Sequence, residues 1–395
     1  MGRIRNFLSE NSRVIGWSVL GLMGLSALML YRLGSLTAGM SVTEINNSWL
    51  PVGWHGIYHQ ALYLPLNLVR SVDFVVFTDH GAFLSRLPNA FFGGLAVISF
   101  ACLIKLWHGT RTAVMATLLF ATSAWVLHAS RLASFDVLYL WALPTLILIN
   151  VLLHKYSQKA LVWYGSLFIW GLMLYVPGLV WLIGLSVYLQ RANIAVAWKH
   201  FGSFAGRFAS IGLVVIWLPL LIFDFIKFGG LVTWLGLPNH FAEPITIIKQ
   251  FVAVPIHLFI RGPRYPEMWL DAAPILDIFS LAMCIIGIYF YAKHPKAYRA
   301  RLLGSFAVIG VLLVGLAGPV GLSLLVPLLY ILIATGIAYL LHDWLKVFPS
   351  NPLARGLGLG LISLAIGLSC IYNLRSYFIA WPHNPTTQVV FQYRR

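Results

Sequence analysis

The chain has 395 residues, of which 60% are apolar, 14% are aromatic and only 10% are charged. Apolar runs of about twenty residues recur along it, which excludes an ordinary soluble domain and is typical of a polytopic membrane protein. The net charge of +16 does not indicate nucleic-acid binding, because Lys and Arg occur singly or in small groups between the apolar runs. Cys102, Cys284 and Cys370 stand far apart in apolar runs, so they indicate neither a disulfide framework nor a cysteine metal site.

The apolar runs predict an all-α transmembrane domain of about eleven helices. The first helix follows Arg3, Arg5 and Arg13, and because no small-residue cleavage signature ends it, we expect it to remain in the membrane. The predicted spans are residues 14–33, 88–107, 112–129, 137–153, 160–175, 177–190, 208–226, 273–292, 302–317, 320–341 and 356–374. Residues 1–375 then form one transmembrane domain, followed by a short exoplasmic tail over residues 376–395.

The charges predict which side of the membrane each loop faces. With the N-terminus in the cytoplasm, every predicted cytoplasmic connection contains Lys or Arg, as the positive-inside rule requires. Of the eleven carboxylates, only Glu10 and Asp343 then lie on that side, and Asp224 lies near the outer end of a helix. The other eight fall outside, namely Glu44, Asp73, Asp79, Asp136, Glu243, Glu267, Asp271 and Asp277. The functional face is therefore predicted to be exoplasmic, on a multi-pass protein of the cytoplasmic membrane.

Two predicted outer loops are long, over residues 34–87 and 227–272. Both are rich in aromatic and apolar residues, including the stretches 49–54 and 251–259, which predicts amphipathic helices lying along the membrane interface. Long ordered loops are often functional. Two interpretations stay open for them, namely packing over the helix ends and formation of a substrate cavity.

Glu44 and Asp136 are the carboxylates that carry most functional information. Each lies a few residues from a predicted membrane helix, where an acid at the water boundary is able to take a proton from an acceptor hydroxyl. A structural alternative exists for the second loop. Arg131 has the position of a cation at a helix C-terminus and Asp136 that of an acid at the next helix N-terminus, where the helix dipole favours each.

The predicted outer face also carries the cations that would hold a phosphate leaving group. Arginine suits this role because its planar fork binds phosphate oxygens in pairs. The densest basic group is Arg261 and Arg264, in a turn-rich stretch. Binding of lipid headgroups is an equal alternative for these two residues, and Arg86 has the alternative of anchoring its helix at the headgroup level. The outer basic residues are Arg70, Arg86, Arg131, Lys249, Arg261 and Arg264.

Other chemistries have no motif in the sequence. It contains no Walker-type phosphate loop, no His-Glu-x-x-His and no Gly-x-Ser-x-Gly elbow. His55 and His59 are spaced to share one helical face, but an isolated pair of this kind is more often structural than metal-binding. We therefore predict neither a metal nor another cofactor.

Several short runs, taken in order, resemble the GT-C class of integral-membrane glycosyltransferases. They are the run 85–90 (SRLPNA), the run 121–125 (ATSAW), and Ser130, Arg131 and Asp136. The similarity is greatest to the branch that contains protein O-mannosyltransferases and the bacterial aminoarabinose transferases of lipid A. It is specific over roughly residues 36–150 and weaker through residue 345. It implies an inverting transfer of a sugar from a polyprenyl-phosphate carrier to a lipid, glycan or protein acceptor outside the membrane.

The resemblance also implies roles for individual residues. Glu44 matches the proposed catalytic base in the first outer loop, and Asp136 matches the acid that orients the acceptor or supports the site. Arg131, with Arg261 or Arg264, matches the basic residues that hold the carrier phosphate, and Arg86 joins this substrate-binding set. The sequence departs from the family in one respect, because Thr43 precedes Glu44 where many relatives carry two adjacent acids.

Three alternatives to this enzyme remain. A polytopic protein with an acid near the membrane is also compatible with a transporter or lipid flippase, although the chain shows no matched halves and no charges at mid-membrane depth. A polymerase or ligase of surface glycans would use the same class of donor, but its largest outer loop is expected late in the chain. A non-catalytic scaffold related to the family is the third.

Overall fold

The computed structural model describes residues 12–48, 61–76 and 81–391. Within these ranges the regular elements are all helical. The first half contains α1 (Ser12–Leu30), α2 (Val42–Ser48), α3 (Leu64–Val76), α4 (Ala82–His108), α5 (Thr110–Thr122), α6 (Ala124–Arg131), α7 (Asp136–Tyr156), α8 (Ala160–Met173) and α9 (Leu179–His200). The second half contains α10 (Phe204–Val215), α11 (Leu218–Phe228), α12 (Leu231–Trp234), α13 (Pro244–Phe259), α14 (Ile278–Lys293), α15 (Tyr298–Gly315), a 3₁₀ turn (Leu322–Leu324), α16 (Val326–Val347), α17 (Pro352–Arg375), a π-helical turn (Ser376–Ala380) and α18 (Pro385–Val390).

Seven helical segments of the described chain are long and apolar enough to cross a membrane. They are Ala82–His108, Asp136–Tyr156, Leu179–His200, Phe204–Phe228, Tyr298–Gly315, Leu322–Val347 and Pro352–Ala380. The bent pair of α5 and α6 makes an eighth if it counts as one span, and α1, α8, α13 and α14 contribute shorter apolar helices. Each of the eleven predicted spans contains a helix, so the all-α membrane fold is confirmed, whereas eleven complete crossings stay a prediction.

Close helix contacts hold the bundle together. A methyl group added at Gly287 of α14 would lie 2.0 Å from the carbonyl oxygen of Leu332, and one at Gly336 of α16 would lie 2.0 Å from that of Met283. The two backbones therefore approach each other at two glycines, one on each helix. Small residues at helix contacts are typical of membrane bundles, where burial of apolar surface alone does not drive association.

The third membrane segment is broken at Ser123, where α5 and α6 meet at a bend of 60°. A break inside a membrane frees backbone groups that lipid cannot satisfy. The side-chain oxygen of Asn373 on α17 accepts a hydrogen bond from the Ala124 N–H at 3.2 Å, which satisfies one of them.

Both long loops contain helices of the predicted amphipathic kind. On α13, Val254 and Leu258 are buried one turn apart, while Ile248 and Val252 are exposed. On α3, Leu64 and Leu66 are buried and Val72 is exposed. The aromatic stretch at 49–54 and the His55–His59 pair lie outside the described residues.

The C-terminal segment packs on the transmembrane domain. The last membrane helix continues past the predicted boundary at residue 375 into the π-helical turn. Beyond it, the side chains of Trp381 and Phe391 are buried. Residues 376–391 therefore pack against the helices that precede them, and the division at residue 375 stays a prediction.

Candidate active site

Three carboxylates line one cavity of about 200 Å³, which we call the acid cavity. Glu44 comes from α2, Asp136 from the first turn of α7, and Glu267 from the loop between α13 and α14. The predicted pair Glu44 and Asp136 thus shares a cavity although the two are far apart in sequence. The other lining residues are Ser41, Thr43, Asn47, Tyr63, Leu132, Ala133, Ser134, Phe135, Tyr139, Met268, Pro319 and Phe391.

Glu44 is buried and forms a two-pronged ion pair with Arg86. Its Oε1 accepts from Arg86 Nε at 2.8 Å and from the Ala133 N–H at 3.0 Å. Its Oε2 accepts from Arg86 Nη2 at 2.7 Å and from the Ser41 N–H at 3.3 Å. A carboxylate offers about four lone-pair positions, and all four are occupied here. Glu44 therefore joins α2, α4 and the turn before α7.

Arg86 is itself buried, with 1% of its surface exposed. Beyond Glu44 it donates to the carbonyl oxygens of Leu33 and Gly39 at 3.0 and 3.1 Å and to the Thr37 hydroxyl at 3.1 Å. The predicted substrate-binding role needs donors that face the cavity, but Arg86 is not among the lining residues. We infer that it holds Glu44 and the chain after α1 in place.

Asp136 is half-buried and has the Ser323 hydroxyl as its hydrogen-bond partner. The Ser323 oxygen in turn accepts from the indole N–H of Trp125 on α6 at 3.0 Å. Gly321 lets this turn approach, since a methyl group there would lie 2.8 Å from Asp136 Oδ1. Asp136 is therefore held by Ser323, in the 3₁₀ turn before α16, and Ser323 is held in turn by Trp125 on α6.

Tyr63 forms one wall of the acid cavity in a strained conformation. Its φ angle is +65°, in the left-handed region of the backbone map that bulky residues rarely adopt. The surroundings fix it there: its ring stacks on Phe135 at 4.0 Å between centroids, and its N–H donates to the Tyr175 carbonyl at 2.7 Å. Burial raises the pKa of the Tyr63 phenol, and the Asp136 carboxylate raises this pKa further. The hydroxyl therefore remains protonated and able to donate at neutral pH.

Glu267 was assigned no role from the sequence. It lies 224 residues from Thr43, yet its Oε1 accepts a hydrogen bond from the Thr43 hydroxyl at 3.0 Å. Its own segment shows no motif, so only the folded chain places it beside Glu44 and Asp136.

Arg131 lies outside the lining of the acid cavity, between aromatic rings of the C-terminal segment. Its guanidinium carbon is 4.7 Å from the ring centre of Phe378 and 5.2 Å from that of Tyr377. Its Nη2 donates to the Tyr31 carbonyl, but its buried Nε and Nη1 have no hydrogen-bond partner among the described residues. A buried N–H group without a hydrogen-bond partner costs free energy. The two unpaired nitrogens of Arg131 are therefore candidates to donate to a bound ligand.

An apolar groove of about 1070 Å³ adjoins Arg131, since Tyr31 and Phe378 line it. It runs between α1 and the last membrane helix. One charged residue, the exposed Arg375, lies in its lining. The lining residues are Gly24, Ser26, Ala27, Leu28, Leu30, Tyr31, Ile371, Leu374, Arg375, Phe378 and Ile379.

The other predicted cations are not brought into the cavity. Arg261 and Arg264 are exposed and line neither the acid cavity nor the apolar groove. Arg70 lies closer, because it donates to the carbonyl of the cavity-lining Asn47 at 2.8 Å and sits 5.3 Å from the ring centre of Phe135. Burial lowers the pKa of Arg70 to about 10, so it remains a cation at neutral pH.

Asp277, whose partner the sequence does not reveal, has a structural role. It caps α14 by accepting from the Ser280 N–H at 3.1 Å, and it also accepts from the side chains of Ser369 and Asn373 on α17. Across the described ranges, no group of three or more His, Cys, Asp or Glu side chains is arranged to hold a metal ion.

Comparison with known proteins places the fold. No protein-family model and no curated sequence matches the chain. Among solved structures, ArnT from Cupriavidus metallidurans in the apo state is 13% identical, with a TM-score of 0.55 over 96% of this chain and 77% of that chain. ArnT bound to undecaprenyl phosphate is 14% identical, with a TM-score of 0.55 over 95% of this chain and 77% of that chain.

A second similar protein is the oligosaccharyltransferase of Archaeoglobus fulgidus, in a structure tethered with an acceptor peptide. It is 15% identical, with a TM-score of 0.50, and the match covers 93% of this chain and 55% of that chain. Both proteins are GT-C membrane glycosyltransferases. The chain therefore has the GT-C membrane fold that the sequence resemblance predicts.

Proposed function

We propose that this protein is a membrane glycosyltransferase that moves a sugar from a polyprenyl-phosphate carrier to an acceptor on the exoplasmic side of the cytoplasmic membrane. The observation that carries this proposal is that carboxylates from separate loops line a single cavity of a GT-C fold. Its volume of about 200 Å³ is small for a ligand site and suits one sugar ring or acceptor group. ArnT, which shares the fold, binds undecaprenyl phosphate.

The proposed reaction is a single displacement at the anomeric carbon. A cavity carboxylate takes the proton of the acceptor hydroxyl as its oxygen forms a bond to that carbon. The bond between the anomeric carbon and the phosphate oxygen breaks, and its electron pair leaves with the carrier phosphate. Attack from the face opposite the phosphate inverts the configuration. Asp136, fixed by Ser323, is suited to orient the acceptor, while Tyr63 remains a neutral donor beside it.

Arg131 and the apolar groove support a carrier site. A polyprenyl tail needs an apolar surface, and the groove beside α1 supplies one. A phosphate needs fixed donors, and among the described residues the Nε and Nη1 groups of Arg131 have no partner, while Tyr31 and Phe378, which Arg131 contacts, line that groove. Arginine is favoured for such contacts because its charge-assisted hydrogen bonds to phosphate are strong and often paired. Arg261 and Arg264 remain predicted as surface sites for phosphate or anionic headgroups.

The base predicted from the sequence, Glu44, stays a prediction. It lines the acid cavity, but its four lone-pair positions are filled by Arg86 and by the N–H groups of Ala133 and Ser41. To accept a proton it would first have to lose one of these bonds. Its hydrogen bonds favour a supporting role.

The test uses purified protein in liposomes with undecaprenyl-phosphate-linked radiolabelled glucose, mannose and arabinose. We expect release of label from at least one donor, either to added membrane lipids or to water, and a loss of about 10²-fold or more for Asp136→Asn. The exposed Glu243→Gln is the matched control and is expected to keep wild-type rates. If the wild type releases label from no donor but moves the carrier lipid across the bilayer, the flippase alternative replaces this proposal.

The carrier site has its own measurement. Binding of undecaprenyl phosphate is expected to weaken about tenfold or more in Arg131→Gln, since a charged hydrogen bond contributes about 1.5–3 kcal/mol. Arg111→Gln serves as the comparison, because that side chain is exposed and lines neither the acid cavity nor the groove. Equal affinity of the wild type and Arg131→Gln would remove Arg131 from the carrier site.

A further inference from the structure

Glu267 differs from the other two carboxylates of the acid cavity in what surrounds it. Glu44 accepts four hydrogen bonds and is paired with Arg86. Asp136 has Ser323 as its partner. Glu267 accepts one hydrogen bond from the described residues, on Oε1 from Thr43, so its Oε2 has no protein donor there. Glu267 therefore has more free lone pairs than Glu44, the base predicted from the sequence.

The loop that carries Glu267 is held firmly on both sides of this residue. The carbonyl of Pro266, the residue before it, accepts from the indole N–H of Trp381 at 3.0 Å. Trp269, two residues after it, is buried against Trp125, with ring centres 5.0 Å apart. The Trp269 indole also donates to the Ala273 carbonyl at 2.6 Å. A catalytic group needs such support, because small displacements of a reacting group cost large factors in rate.

The contact with Thr43 defines the position of the carboxylate. Thr43 lies directly before Glu44 on α2, so the Glu267 Oε1 atom sits at the same rim of the cavity as the Glu44 backbone. The Thr43 hydroxyl donates to Oε1 of Glu267 and not to Oε2. One oxygen is thus fixed and the second is available.

We propose that Glu267 is the proton acceptor of the transfer reaction, with Thr43 as its positioning residue. The proposal rests on the proposed glycosyltransferase function and assigns one step of it. The Glu267 carboxylate takes the proton of the acceptor hydroxyl, becoming a neutral acid. The acceptor oxygen bonds to the anomeric carbon, and the carrier phosphate leaves with the electron pair of the broken bond. The proton then passes to water after product release.

The experiment compares Glu267→Gln, Glu267→Ala and the control Glu243→Gln with the wild type in liposomes. The substrate is whichever undecaprenyl-phosphate-linked sugar the wild type consumes, and kcat, KM and undecaprenyl phosphate affinity are measured for each protein. Gln keeps an oxygen to accept from Thr43, so Glu267→Gln retains the loop contact. We expect it to lower kcat about 10²-fold or more, while KM and carrier affinity stay within about twofold.

Chemical rescue separates a base from a structural residue. Sodium azide or formate fits into the space that Glu267→Ala leaves and is able to take the proton, so each is expected to raise the rate of this variant about tenfold. A merely structural role would not respond to the added anion. Retention of wild-type kcat in Glu267→Gln, or absence of rescue in Glu267→Ala, overturns the assignment. An inactive wild type instead refutes the proposed function, and the assignment with it.

Discussion

The ion pair between Glu44 and Arg86 yields the sharpest prediction about stability. Both side chains are buried, at 4% and 1% exposure, and the pair is joined by two hydrogen bonds of 2.8 and 2.7 Å. Arg86→Gln removes the positive charge and leaves the Glu44 carboxylate buried with only the N–H groups of Ala133 and Ser41. Removing one partner of a buried pair costs about 3–5 kcal/mol, because the remaining charge keeps its desolvation penalty.

The double variant separates the pair from its surroundings. Glu44→Gln in the Arg86→Gln background removes both charges and keeps an oxygen that accepts from Ala133 N–H. The second substitution is therefore expected to restore part of the lost stability, with a coupling free energy on the order of 1–3 kcal/mol. Simple loss of packing would instead make the double variant at least as unstable as the sum of the single variants.

The measurement is thermal unfolding of detergent-purified protein, followed by size-exclusion chromatography after heating. We expect Arg86→Gln to lower the midpoint by roughly 5–10 °C and the double variant to recover part of that shift. The exposed Arg111→Gln, on α5, is the control and is expected to leave the midpoint unchanged. An unchanged midpoint in Arg86→Gln would refute the argument that the pair fixes the first outer loop.

Two further predictions concern packing and positioning. Gly93→Ala should destabilise the protein by about 1–3 kcal/mol, because the added methyl group would lie 2.3 Å from Ser130 Cβ, whereas Gly94→Ala meets no atom within 4 Å and serves as its control. Equal thermal midpoints for the two alanine variants would contradict this. Ser323→Ala should lower sugar release about tenfold without changing undecaprenyl phosphate affinity, because Asp136 loses its hydrogen-bond partner. A parallel loss of carrier affinity would show that Ser323 acts on more than Asp136.

The helical architecture was predictable because hydropathy is local information. An apolar run of spanning length indicates a membrane helix regardless of what it packs against. The predicted helix boundaries were less accurate than the helices themselves. The sequence predicted a helix start at Pro88, but α4 begins at Ala82 and continues through this proline. Proline is tolerated inside a membrane helix when neighbouring groups satisfy the freed carbonyl.

The site was predictable only in part, because its residues contact partners that are far away in the sequence. Glu44 and Asp136 were found from their positions beside membrane helices, and they do share a cavity. The interpretation of Arg86 as a phosphate ligand did not anticipate that its donors are directed at Glu44, 42 residues away. Glu267 had no motif, and its contact with Thr43 spans 224 residues. Charge counting identifies candidates, but it does not show which charges neutralise each other.

Trp125, just after the 60° break between α5 and α6, connects two parts of the site. Its indole N–H donates to Ser323, the partner of Asp136, and its ring packs against Trp269, which anchors the loop of Glu267. One side chain thus contacts the supports of both carboxylates. Trp125 therefore links Asp136 and Glu267 through the residues that hold each of them. The two carboxylates that line the cavity with Glu44 thus share a support that neither of their own segments contains.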